Sequence, residues 1–247
     1  MTDTPDFSGV AKSYAESRPG YPTALFDWLA SLVTGHDLAW DAATGSGQAA
    51  LGLADHFRRV IATDTSEQQV RHASSHPRVE YRVGRAEESG LPDRSVDLVV
   101  AASALHWFDL KRFDAEVRRV TRRGGVVAAW TYHVAHVEPP FDGVLWPFYR
   151  DVVGPYFAAG ARLVDDRYQA ITLPGEPISA PGFTVSVRWT PAHMLRFIGT
   201  WSGVQAYIRA TGMDPVEELS PKLQAIWGSA EAIRDVRWPL YLRVARL

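Results

Sequence analysis

The chain predicts an α/β fold with a doubly wound, mostly parallel sheet, and three features carry that expectation. Short apolar runs alternate with amphipathic stretches from about residue 24 to 130. The runs are rich in Val, Ile and Ala, and the first of them leads into the glycine loop "TGSGQAA". Alternation of this kind builds βαβ units with right-handed crossovers. Strands buried on both faces read as near-continuous apolar runs.

The elements follow in order. A leading segment, "FSGVAKSYAESRPGYPTALFDWLASL", is split by "RPGYP", which ends one helix before the next begins. Five strands are expected at "LAWDAA" (38–43), "RVIATD" (59–64), "VEYRVG" (79–84), "VDLVVAA" (96–102) and "GVVAAWTYH" (125–133). Between them "GQAALGLADHF", "SEQQVRHAS" and "DLKRFDAEVRRVT" carry helical spacing. In the last of these Phe113, Val117 and Val120 recur at i, i+4 and i+7 and share one face. After residue 134 the rhythm changes to "EPPFDGVLWPFYRDVVGPYF" (138–157), dense in Pro and aromatic residues. Two further strands, "FTVSVRW" (183–189) and "WPLYLRVARL" (238–247), bring the expected sheet to seven and bracket a mostly helical stretch. The expectation is a single domain over 1–247, with its core at about 36–135 plus the two final strands. A helical cap, about 138–170 and 190–232, is inserted near the C-terminus.

Composition narrows the function. The 247 residues are 46% hydrophobic and 22% charged with a net charge of −2, so no basic field marks a nucleic-acid partner. Zero cysteines exclude a disulfide framework, a thiolate metal site and a cysteine nucleophile. No metal is expected: His72 and His76 stand at i, i+4, but no third ligand is placed with them and Pro77 follows. The start is polar and acidic, and no run approaches the ~18 apolar residues that cross a bilayer. A cytoplasmic protein without membrane partners is expected, as monomer or homodimer.

The glycine loop has three candidate ligands. A triphosphate needs G-x-x-x-x-G-K-[ST], and the nearest lysine downstream is Lys111. A nicotinamide dinucleotide is closer: "GSGQAA" fits G-x-G-x-x-G/A, and Asp64 stands 19 residues after Gly45 as a ribose-binding acid would. Against it, Asp41 ends the strand four residues before Gly45, and an anion there repels pyrophosphate. That sign suits a ligand with an ammonium and a sulfonium group, S-adenosylmethionine (SAM). A nicotinamide reductase would also usually carry Tyr-x-x-x-Lys, which does not occur in this chain. A protein that binds SAM without turning it over is the other alternative.

The motifs resemble those of the class I SAM-dependent methyltransferases, in order, across roughly residues 8 to 135. "DAATGSGQ" resembles the family's first motif, "VIATDTS" the acid ending the second strand, "GRAEESGLPDRSVDLVVAASALHWFD" the adenine segment and fourth strand, and "RVTRRGGVVAAW" the approach to the fifth. "YAESRPGYP", "ALHWFD" and "TWSGVQAYIRATGMDP" resemble more narrowly a small-molecule branch that includes trans-aconitate methyltransferase-like proteins. One departure stands out: Ala43 replaces the first of the usual three glycines, which an extended backbone there would tolerate.

The resemblance implies a Rossmann-like fold, SAM as cofactor and S-adenosylhomocysteine (SAH) as product. Asp41 would lie near the methionine amino end, with the backbone of Ala43 and Gly45 against the cofactor and Gly47 and Gln48 opening the helix. Asp64 would accept both ribose hydroxyls, with Thr65 beside the adenosine. Arg85, Ala86 and Glu87 would read the adenine edge, although Glu87 also fits a solvated loop acid. Ala101 and Ala102, with Ser103 after them, would leave room at the sulfonium. Tyr14 and Arg18 would close over the methionine end, Arg18 on its carboxylate. His106, after the fourth strand, is the catalytic candidate, either as a base toward a hydroxyl acceptor or as a positioning wall if the acceptor is an ionised carboxylate. The aromatics of 141–157 and Trp201 are core or a cover for an apolar, planar acceptor. The acceptor is expected to be a small molecule methylated on carboxylate or hydroxyl oxygen.

Overall fold

The computed structural model describes residues 18–247. Helix α1 (Thr23–Ser31) leads into strand β1 (Leu38–Ala42), and the loop after it opens α2 (Gln48–Ala54). Then come β2 (Arg59–Asp64), α3 (Glu67–His72), β3 (Val79–Val83), β4 (Val96–Ala102), α4 (Leu110–Val120) and β5 (Thr121–Thr131). Strands β1 to β5 pair in parallel in the order 3-2-1-4-5. The apolar runs belong to strands covered on both sides. Along β4 and β5, Leu98, Val100, Val126, Ala128 and Trp130 enter one core, and Val99, Ala101, Val127 and Ala129 enter the other. Helices α1 and α2 cover the first core through Leu25, Leu29, Ala49 and Leu53, whereas α4 covers the second with Phe113, Val117 and Val120.

The far side of β5 is antiparallel. Strand β8 (Arg234–Arg246) pairs its second half with β5, from Val126↔Arg246 to Thr131↔Tyr241. Its first half pairs with β7 (Phe183–Trp189), from Phe183↔Leu240 to Trp189↔Arg234. A two-residue strand, β6 (Glu176–Pro177), pairs at the outer edge of β8, so the sheet counts eight strands where seven were expected. Strand β8 also begins at Arg234, not Trp238, because β7 pairs with it along all seven of its residues. This handover between partners sets the end of β5. Where β8 leaves it for β7, after Thr131, the strand stops, so Tyr132 and His133 project beyond the sheet instead of continuing it to 133 as expected.

The cap comes in two segments. One holds α5 (Pro139–Pro147), a π-helical turn (Phe148–Val153), a 3-10 turn (Gly154–Tyr156) and α6 (Ala161–Asp165). The other holds α7 (Pro191–Gly199), α8 (Ser202–Thr211) and α9 (Pro215–Trp227), between β7 and β8. They anchor through Phe141, Leu145, Phe197, Leu223 and Trp227, which join the core on the α1 side. Trp238 of β8 packs at its center, with rings of Trp189 and Phe197 each 5.2 Å away. No helix among the described residues is long and apolar enough to cross a membrane.

Candidate active site

Two adjoining cavities open at the C-terminal ends of the parallel strands, where open α/β sheets bind ligands. The first spans about 1170 Å³, the open space at its mouth included, and is lined from the β1 loop (Ala43, Thr44, Gly45), the start of α2 (Gln48, Ala49), the end of β2 (Asp64, Thr65, Ser66), the loop after β3 (Gly84 to Glu87) and the end of β4 (Ala102, Ser103). The second spans about 780 Å³, the open space at its mouth included, and is lined by His106, Thr131, His133 and rings of the cap, among them Tyr149, Phe157, Phe197 and Trp201. Four residues, Arg18, Ser103, Trp107 and Tyr132, line both.

The loop after β1 owes its shape to left-handed backbone. Ala43 has φ 58, Gly45 φ 56 and Gly47 φ 94. Ala43 is therefore not extended, as its tolerance was expected to require; it holds a conformation that costs an L-residue roughly 1–2 kcal/mol. Gly47 does not line the cavity but caps α2, and a Cβ there would strike the Tyr81 hydroxyl. The Asp64 carboxylate braces the loop across the strands, accepting from the Gly45 amide through one oxygen and the Ser66 amide through the other, each at 2.9 Å. Each oxygen keeps a lone pair for a further donor in the cavity. Burial pushes the Asp64 carboxyl above its ordinary range, and the Ser66, Gly45 and Thr65 amides oppose that shift.

Asp41 corrects the electrostatic expectation. Its side chain is fully buried beneath the loop and does not reach the cavity wall. One oxygen accepts from the Thr44 hydroxyl at 2.6 Å, and burial pushes its carboxyl up to about 7. A group titrating there is no fixed anion at neutral pH, so Asp41 does not set the sign of the ligand by itself. Ala101 is likewise fully buried behind the wall, and Ala102 takes its place on it.

The remaining expected residues come together. Arg18, Ala43, Gly45, Gln48, Asp64, Thr65, Arg85, Ala86, Glu87 and Ala102 all line the first cavity; Tyr14 lies outside the described residues. Glu87 is not a solvated loop acid: its side chain is 6% exposed, pairs with Arg85 and accepts from the Asp109 amide. The Arg18 guanidinium donates to the Tyr132 hydroxyl at 2.6 Å and lies 4.9 Å from the center of the Phe197 ring. His72 and His76 hold local bonds within their own segment, to the Gln68 carbonyl and from the Arg78 amide.

His106 stands in a 3-10 turn (Leu105–Trp107) on the second cavity. Its Nδ1 lies 2.9 Å from the Tyr168 hydroxyl. Burial pushes the Tyr168 phenol up, and the Thr131 side chain and the amides of His106 and Leu105 oppose that shift. Burial, followed by the Arg18 charge, pushes the imidazole down to about 3. Such a shift works against the role of base and for that of a positioning wall.

Ser103 ends β4 with φ 52, and its Oγ is buried without a hydrogen-bond partner among the described residues. Its amide donates to the Trp130 carbonyl at 2.7 Å, which holds the strained backbone in place. The aromatics divide. Trp130, Phe141 and Phe148 are core, whereas Tyr149, Phe157 and Trp201 face the second cavity. Sequence reasoning missed His133, Tyr168 and Asp165. A signal for His133 exists, since it stands just past a parallel strand end as Ser103 does; Asp165 closes the short helix α6 and Tyr168 lies in the turn after it, with no such signal.

Residues 40–129 match a family described as a methyltransferase domain. A Dictyostelium discoideum protein assigned as a methyltransferase is 30% identical over 97% of this chain and 94% of its own. A Mycolicibacterium smegmatis protein assigned as an S-adenosylmethionine-dependent methyltransferase is 38% identical over 51% of this chain and 49% of its own. A solved structure from Anaeromyxobacter dehalogenans assigned as a type II methyltransferase is 44% identical, with a TM-score of 0.84 over 93% of this chain and 97% of that one. The antiparallel β8 beside β5 also departs from the all-parallel dinucleotide-binding order 3-2-1-4-5-6. With the glycine loop, the acid ending β2 and full-length relatives in agreement, the chain belongs to the class I SAM-dependent methyltransferases.

Proposed function

We propose that this methyltransferase alkylates an oxygen, carboxylate or hydroxyl, of a small organic molecule held in the aromatic cavity. The observation that carries this reading is the shared wall: Arg18, Ser103, Trp107 and Tyr132 border both cavities, so ligands in the two meet there. The donor set of the first cavity fits SAM. Asp64 has acceptor capacity left for ribose hydroxyls, Ala86 is on the wall for an adenine edge, and Arg18 offers a cation for the methionine carboxylate. When bound, SAM supplies an electrophilic methyl group on a sulfonium.

The chain's own contribution is alignment and exclusion of water. Ala102 keeps the wall thin beside the shared border. Tyr149, Phe157, Phe197 and Trp201 offer flat apolar faces, which suit a planar acceptor and shed water. His106 borders this space with Nδ1 paired to the Tyr168 hydroxyl, placed to position an acceptor oxygen. The narrower likeness to trans-aconitate methyltransferase-like proteins points to the same class of small acceptor.

The test is transfer of labelled methyl from SAM to pools of small carboxylic acids, phenols, peptides and RNA. Label in a small carboxylic acid or phenol is expected. Label confined to the peptide or RNA pool would overturn the reading.

A further inference from the structure

The geometry points to His133 as the proton acceptor of this enzyme, and therefore to a hydroxyl, not a carboxylate, as the group that is methylated. This inference rests on the methyltransferase reading of the two cavities. His133 follows β5 directly, in the segment released where β8 changes partner. Its side chain is 10% exposed, its ring lies 4.9 Å from Trp146 and stacks on it at 17°, and it lines the aromatic cavity. Its Nε2 lies 2.9 Å from Oδ1 of Asp165, and the Tyr149 hydroxyl donates to that same oxygen at 2.6 Å. A carboxylate only accepts, so Nε2 of His133 carries the ring proton. In the neutral ring the other nitrogen, Nδ1, keeps a bare lone pair; it is buried without a hydrogen-bond partner among the described residues.

The two histidines of the cavity thus engage their partners through opposite ring nitrogens. His106 engages its partner, the Tyr168 hydroxyl, through Nδ1. His133 gives its hydrogen to Asp165 and keeps a proton-accepting nitrogen. A carboxylate acceptor, already ionised at neutral pH, has no use for such a nitrogen, whereas a phenol, enol or alcohol does. In the step, the acceptor O–H breaks with its proton passing to His133 Nδ1, the oxygen lone pair forms the O–CH3 bond, and the C–S electron pair leaves on sulfur. Asp165, a positioning residue, holds the imidazolium until its proton passes to solvent.

The test reads proton position before it reads turnover. Nitrogen NMR of histidine-labelled protein should show His133 neutral with Nδ1 bare; a proton on Nδ1 would overturn the inference. 4-Nitrophenol added to the SAH-loaded protein at neutral pH should bind with a rise in its phenolate absorbance, and H133Q should abolish that rise. No uptake, or the same rise in H133Q, would contradict it. Transfer of labelled methyl to phenols should fall by about 10²–10⁴-fold in H133Q, with SAH affinity unchanged within about twofold, and D165N should fall between H133Q and wild type. Transfer only to carboxylic acids, at equal rates in wild type and H133Q, would overturn the hydroxyl assignment alone. Absence of SAH binding by calorimetry would instead overturn the methyltransferase reading beneath it.

Discussion

The two cavities are built by opposite means. The glycine-loop side is assembled from strand ends in one sheet, using backbone amides, small residues and a single bracing carboxylate, Asp64. The aromatic side is assembled from segments far apart in the chain, using rings from 149 to 201 and polar pairs such as His106–Tyr168 and His133–Asp165. The first recognises a ligand by backbone geometry, which constrains residue type at fixed spacing. The second recognises by shape and by two oriented imidazoles, and nothing in local backbone geometry dictates which residues supply them. One sheet can therefore hold a common cofactor while the cap alone is varied to change the acceptor.

Substitutions on either side test that separation. The largest effect is expected for W201A, since Trp201 packs against Phe148, Tyr149 and Phe197. Loss of so large a buried ring should cost about 3–5 kcal/mol of stability in denaturant unfolding, while SAM affinity in the remaining folded protein stays within a few-fold. A parallel collapse of SAM affinity would mean that the cavities are one energetic unit.

Asp41 comes next, with a sign that depends on pH. Burial raises its carboxyl from 3.8 to about 7, so the folded protein keeps a proton that the unfolded chain releases. Stability is then lost as pH rises through that window, and the penalty is complete above it. D41N should be more stable than wild type at about pH 8 by on the order of 1–4 kcal/mol, with the difference closing below about pH 4. An unchanged midpoint at both pH values would show that Asp41 bears no such burden.

D64A should weaken SAM binding by about 1–3 kcal/mol, because ribose acceptors and the brace on Gly45 go together. Unchanged affinity by titration would remove Asp64 from the cofactor site. The smallest effect belongs to A43G. Relief of the left-handed backbone at Ala43 should raise stability by up to about 1 kcal/mol, reduced by the added freedom of the unfolded chain. A lower melting temperature would mean that the Ala43 methyl packs more than it strains.

How much of this was legible in the chain follows the same division. Strands β2, β4 and β7 stand where their apolar or alternating patterns put them, because burial on a sheet face imposes a period that survives in sequence. The C-terminal end of β5 and the start of β8 were misplaced, since both depend on a strand changing partners, which is a tertiary event. At the site, motif spacing located most of the first cavity's wall. It erred at Asp41 and Ala101, which stand in the right motifs but behind the wall, whereas Gly47 opens α2 as expected without lining the cavity. Spacing carries chain position and not side-chain direction. His133 with Asp165 escaped altogether because the pair spans 32 residues and is closed by the short helix α6 of the cap.

The central claim, that the glycine-loop cavity holds SAM, is tested most directly by calorimetric titration of the protein with SAM, SAH and NADH in parallel. Micromolar binding of SAM and SAH with no heat from NADH is the expected result. Binding of NADH alone would contradict the account and restore the nicotinamide-dependent reductase in its place.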